Sequence, residues 1–154
     1  AELQQRGVES YLISAGGQML VGGRRGDRPW RIGIRDPRGP ADDFFAHLEV
    51  VDASISTSGD YERFFLIDGV RYHHLLDPRT GRPARGLRSA TVVSADATLA
   101  DALSTAVMVL GLESGLQLVE GMPGVEAALV DDKGRLHVSR GLLRRLHIDH
   151  EPRP

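Results

Sequence analysis

The 154-residue sequence contains no cysteine, which excludes disulfides, thiolate zinc sites, iron–sulfur clusters and a cysteine nucleophile. Lysine is almost missing as well: of 19 basic residues, all but Lys133 are arginine. That bias fits GC-rich coding better than a phosphate-binding surface, because the formal net charge is only −2. With no global basic field, nucleic acid is not indicated as a partner. No apolar run approaches the ~20 residues of a membrane-spanning helix. The first residues show neither the charged nor the apolar region of a signal peptide. What is present is 41% hydrophobic and 26% charged residues, the composition of one globular domain with a single sizeable core.

Residues 1–8 read as the last turns of a helix stopped by Gly7, so the chain is expected to be cut from something longer. Tyr11-Leu12-Ile13 and Gln18-Met19-Leu20-Val21 are strand candidates on either side of Gly16-Gly17. In Trp30-Arg31-Ile32-Gly33-Ile34-Arg35 apolar residues alternate with polar ones or glycine, the period of a half-buried strand. Residues 36–43 are a Pro- and Gly-containing loop, and Phe45 to Thr57 is one longer strand or a bent pair. Phe64 to His74 forms a hairpin around Asp68-Gly69, a dipeptide that suits the two positive-φ positions of a type I′ turn.

Thr91-Val92-Val93 continues the strands, and Thr98 to Leu110 is a helix with Leu99, Leu103, Val107 and Leu110 on one face. Ser114 to Glu120 is a shorter helix, and Val125 to Val138 a second hairpin. Residues 1–146 are thus expected to form α+β structure: a largely antiparallel sheet built from hairpins, with one long and one short helix packed on it. Residues 147–154 read as a loose polar tail.

Four clusters could carry chemistry. Ala15-Gly16-Gly17-Gln18 lets the main chain turn sharply and approach a ligand, or is simply a turn. Ser56-Thr57-Ser58-Gly59-Asp60-Tyr61 offers hydroxyls and a carboxylate at a strand end, for a ligand or for a capped turn. Tyr72 to Pro83 joins a His pair to a rigid Asp-Pro-x-Thr-Gly double turn; strand alternation sends His73 and His74 to opposite sides, so only one can face a pocket. On the long helix, Asp101 and Thr105 lie one turn apart on one face and could share a hard cation through oxygen. The plain alternative is an acidic first turn and a Thr hydroxyl bonded back to a carbonyl.

Taken in order, these stretches resemble the ApbE family of FAD:protein FMN transferases, which are magnesium-dependent. The matching residues are Gly7-Val8 through Leu12-Ile13 into Gly16-Gly17, Ser56 to Tyr61, His74-Leu75-Leu76-Asp77-Pro78-Arg79-Thr80-Gly81, and Ala100-Asp101-Ala102-Leu103-Ser104-Thr105 to Gly111. The resemblance implies that FMN moves from FAD to a threonine of an acceptor protein and that AMP leaves. It also implies Asp101 and Thr105 as magnesium ligands and Leu76 as a contact to FAD. His74 is then the candidate general base for the acceptor threonine, with Asp77 orienting it or locking the turn. Thr57, Ser58, Gly59 and Asp60 are flavin-pocket candidates.

Gln18 departs from the family, in which an acidic residue or Asn follows the Gly pair. The larger departure is a preceding segment of similar size, which in the family contributes to the metal and flavin sites; the chain therefore resembles the C-terminal half of such an enzyme. Two other readings stay open: a magnesium-dependent FAD pyrophosphatase giving FMN and AMP, and a non-catalytic flavin-binding fragment. Self-association through apolar surface left by the missing half is a further expectation. By resemblance the full-length protein is periplasmic or membrane-anchored.

Overall fold

A computed structural model describes residues 2–154. A short helix, α1 (Glu2–Gln5), ends at Gly7 with φ +77°, the left-handed stop that its position suggests. Strands β1 (Tyr11–Ala15) and β2 (Gln18–Gly22) form a hairpin whose turn residues, Gly16 and Gly17, both have positive φ. Then follow β3 (Trp30–Arg35), β4 (Phe44–Val50), β5 (Ala53–Gly59), β6 (Phe64–Ile67) and β7 (Val70–His73). The Asp68-Gly69 turn between β6 and β7 has φ +48° and +75°, and it pairs Phe64 with His73. A two-residue ribbon, β8 (Leu76–Asp77) and β9 (Arg82–Pro83), leads into β10 (Leu87–Ser94). The remaining elements are α2 (Ala97–Leu110), α3 (Leu112–Glu120), β11 (Glu126–Asp131), β12 (Leu136–Val138) and β13 (Leu146–Ile148).

The main sheet has six strands in the order β1-β2-β5-β10-β11-β12, every neighbouring pair antiparallel. All eight residues of β10 are buried, because a layer packs on each of its faces. On one face Ala90, Val92, Ala127 and Leu129 meet Ala100, Leu103, Val107, Met108 and Val119 of α2 and α3. On the other, Ile55, Val93, Ala128 and Val130 meet Ile32, Ile34, Phe45 and Leu48 of a second sheet, ordered β13-β4-β3. The two-residue period of the strands divides these cores cleanly. The result is a three-layer α+β domain, largely antiparallel as the hairpin pattern predicts.

Three details differ from the sequence reading. Phe45 to Thr57 is two strands in different sheets, separated at Asp52, whose φ is +48°. Leu110, read as part of the buried stripe of α2, is 42% exposed, while Ala100 and Met108 take up that packing. Residues 147–154, read as a loose tail, are docked. β13 pairs with β4, the Asp149 N–H donates to the Phe45 carbonyl at 2.8 Å, and the Asp149 carboxylate meets His47 Nδ1 at 2.8 Å. The Arg153 N–H donates to Asp36 at 3.0 Å, and its carbonyl accepts from Arg88 at 2.7 Å. The partners of this tail lie some 60 to 120 residues upstream, beyond the reach of any local pattern.

The β11–β12 turn is organised by a single buried carboxylate. Asp131 accepts from the main-chain N–H groups of Lys133 and Arg135, from Arg135 Nε at 2.8 Å, and pairs with His137 Nε2 at 2.9 Å. Burial alone would raise its pKa, but the bonds from His137, Arg135 and Lys133 outweigh it and hold the carboxyl well below the usual carboxylate range. A folded-state pKa depressed below the unfolded value stabilises the protein above about pH 4, and the contribution is lost as pH falls through the folded value. Asp131→Asn is expected to cost about 2–3 kcal/mol at pH 7, measured by urea denaturation, and its deficit relative to the parent should shrink below pH 4.

Candidate active site

The candidate residues are brought together where β5 crosses α2. Asp96 caps the helix by accepting from the Leu99 N–H at 3.0 Å, and Gln18 Nε2 donates to the Ala97 carbonyl, tying β2 to the helix start. Ser56 and Ser58, two apart on β5, both face the helix. Ser56 donates to the Asp101 carboxylate at 3.2 Å. Ser58 shares hydrogen bonds with Ser104 at 2.8 Å and Thr105 at 3.2 Å, and the fully buried Ser104 hydroxyl donates back to the Asp101 carbonyl at 2.9 Å. Thr57 points to the opposite face, where its hydroxyl meets that of Thr91 at 2.9 Å.

Beside this seam lies an open cleft of about 360 Å³, walled by Gly16, Gly17, Thr57, Ser58, Gly59, His74, Asp101 and Thr105. The Gly16-Gly17 turn is drawn in by a 3.2 Å bond from the Thr57 N–H to the Gly17 carbonyl. A side chain at Gly17 would be strained at φ +90° and would press on the Thr57 carbonyl at 3.2 Å. His74 is exposed to the cleft, and its main-chain N–H is anchored on the Arg63 carbonyl at 3.1 Å. His73 points the other way. Its Nε2 lies 2.9 Å from the Ala84 carbonyl and its Nδ1 accepts from the Leu75 N–H at 3.3 Å, a pattern that suits a neutral ring. Burial lowers its pKa, outweighing the bond to the Ala84 carbonyl that raises it, so it is a packing histidine.

Asp101 and Thr105 present oxygen donors only, as a hard cation requires. Among the described residues the Asp101 carboxylate has no arginine or lysine partner and a single hydrogen bond, so it faces the cleft with capacity to spare. On those grounds the pair fits a magnesium ion.

Three sequence candidates do not reach this cleft. Asp60 turns away and is clamped by Arg38 through two 2.7 Å bonds, one to each oxygen. Leu76 is 52% exposed outside the cleft wall. Asp77 accepts from the Arg79 main-chain N–H and guanidinium at 2.9 Å, which lowers its pKa. It therefore locks the Asp-Pro turn and does not touch His74. Conversely, Glu62 and Arg63 line the cleft and escaped the sequence reading. They sit in a loop with no motif of its own, and only the return of the chain at His74 brings them to the wall.

A model of the ApbE family matches residues 1–129. The chain belongs to the ApbE family. It is 38% identical over 156 residues to the FAD:protein FMN transferase of Treponema pallidum, covering 95% of this chain and 43% of that protein. The FAD:protein FMN transferase of Rhodobacter capsulatus is 39% identical over 147 residues, with 95% and 28% covered. Among solved structures, the ApbE protein of Thermotoga maritima aligns with TM-score 0.78 at 43% identity, over 86% of this chain and 43% of that one. The apo flavinyl transferase ApbE of Pseudomonas stutzeri gives 0.76 at 36% identity, over 94% and 45%. The chain thus spans less than half the length of each of these family members.

The seam between β5 and α2 can be tested directly. Ser104→Ala removes a fully buried hydroxyl that serves Asp101 and Ser58, and is expected to cost about 1 kcal/mol in urea denaturation.

Proposed function

We propose that this chain carries the site at which FMN is transferred from FAD to a threonine of an acceptor protein, with release of AMP. The observation that carries this reading is the convergence of His74, Asp101, Thr105, the Gly16-Gly17 turn and the end of β5 from Thr57 to Gly59 on one cleft. The names of the related proteins supply the reaction class.

Asp101 and Thr105 would hold a magnesium ion, which supplies the charge neutralisation that a pyrophosphate needs before one phosphoryl group can leave another. Ser56 and Ser58 keep these two side chains at the cleft wall by bonding them from β5. The Gly16-Gly17 turn allows the flavin nucleotide to approach the main chain closely. His74 accepts the proton of the acceptor threonine as its Oγ attacks the FMN phosphorus. The bond from that phosphorus to the bridging oxygen breaks, AMP takes the electron pair, and the proton passes from His74 to solvent. Water in place of the threonine would make the same site a FAD pyrophosphatase. The exposure of His74 and Asp101 to the cleft leaves room for that reaction. AMP with flavinylated protein identifies the transferase, and AMP with free FMN the hydrolase.

Asp101→Ala is expected to reduce magnesium-dependent AMP release about 100-fold or more, with the circular dichroism spectrum unchanged; undiminished release would refute the metal assignment. His74→Ala is expected to slow transfer while FAD still binds, read from flavin fluorescence. Loss of binding would instead make His74 a wall of the pocket.

A further inference from the structure

A second cavity, of about 230 Å³, shares no lining residue with the candidate active site although two of its residues directly adjoin it in sequence: Asp60 follows Gly59, and His73 precedes His74. Its wall carries Arg38, Arg71, Arg85 and Arg88 against two carboxylates, those of Asp60 and Asp132. Both oxygens of Asp60 are taken by Arg38. Arg71 Nε stays 3.9 Å from Asp60, too far for a hydrogen bond, and its guanidinium lies over the Phe64 ring at 3.8 Å. Among the described residues the guanidinium groups of Arg71 and Arg85 donate no hydrogen bond, and that of Arg85 lies 5.8 Å from the Tyr72 ring centre. Arg88, nine-tenths buried, donates to the carbonyls of Arg153 and Asp132 at 2.7 and 2.6 Å, which fix its plane without neutralising it. His73 is committed to Ala84 and Leu75 and adds neither charge nor an acceptor.

Positive charge therefore exceeds negative in a half-enclosed space, and two of the guanidinium groups on its wall, those of Arg71 and Arg85, have no hydrogen-bond acceptor among the described residues. Mutual repulsion is felt: burial first, then the neighbouring Arg38, lowers the pKa of both Arg71 and Arg88. A doubly charged oxyanion would relieve this repulsion and accept the idle N–H groups in the planar, forked manner at which arginine excels.

We propose that this arginine-lined cavity is an anion site for a phosphate group, either free phosphate or the phosphate of a nucleoside monophosphate, separate from the flavin cleft. The cavity is large enough to accept a phosphate group.

The test is a titration of the full chain with inorganic phosphate, against sodium chloride at matched ionic strength, read by thermal midpoint and calorimetry. Phosphate is expected to raise the midpoint saturably by about 3 °C, and chloride is not. Arg71→Gln should weaken phosphate binding about tenfold. The more exposed Arg85→Gln should weaken it about threefold, and it keeps the test decisive if Arg71→Gln does not fold. The proposal is overturned if phosphate does no more than chloride, or if a folded variant binds it as tightly as the parent. A parallel titration with AMP separates the sources: AMP binding that is tighter than that of phosphate, displaced by phosphate and weakened by the same variants assigns the site to a nucleotide. Equal or weaker AMP binding assigns it to the free ion.

Discussion

The close approach of α2 to β5 is the constraint on which the rest of the molecule depends. It is made by small hydroxyl side chains: Ser56 and Ser58 on the strand, Ser104 on the helix, with Ala90 and Ala100 beside them. Larger residues would hold the helix away from the sheet, and hydroxyls left unpaired at this depth would each cost about 1–3 kcal/mol. Because every hydroxyl finds a partner across the seam, the contact fixes both the separation and the rotation of the helix. That rotation buries Leu103, Val107 and Met108 and turns Asp101 and Thr105 outward to the cleft. Packing and the candidate chemistry are thus set by one interface.

A second consequence of the architecture is the way charge is divided. Two chain segments, Gly59-Asp60 and His73-His74, pass from the cleft into the arginine-lined cavity. One residue of each pair faces the cleft that holds Asp101 and Glu62, and the other faces the arginines. The two-residue period of a strand accounts for this at the histidines: His73 must be buried if His74 is exposed. At Asp60 the cause is Arg38, whose two-pronged grip turns the carboxylate away from the flavin-pocket candidates that precede it. The docked C-terminal segment closes the same region, since the carbonyl of Arg153 helps to hold Arg88.

The α+β class, the hairpins at Asp68-Gly69 and β11–β12, the long helix and the opposite orientation of the two histidines are all legible from local pattern. So are Asp101 and Thr105 as neighbours on one helix face, since helical spacing alone requires it. The four motifs identify the family because their residue types and order recur together along the chain. What local pattern does not contain is which strand ends meet. Glu62 and Arg63 join the cleft, Asp60 leaves it for Arg38, and residues 147–154 find partners far upstream.

By itself, then, the sequence determined the elements, their buried faces and the family, because those follow from short-range periodicity and from residues in fixed order. Only the tertiary structure decided which polar side chains converge on one cavity. That choice rests on hydrogen bonds and ion pairs between residues separated by 22 to 117 positions, as in Arg38–Asp60 and Arg153–Asp36. The direction of a carboxylate is set by the nearest guanidinium or N–H in space, and the folded chain alone brings that donor within reach.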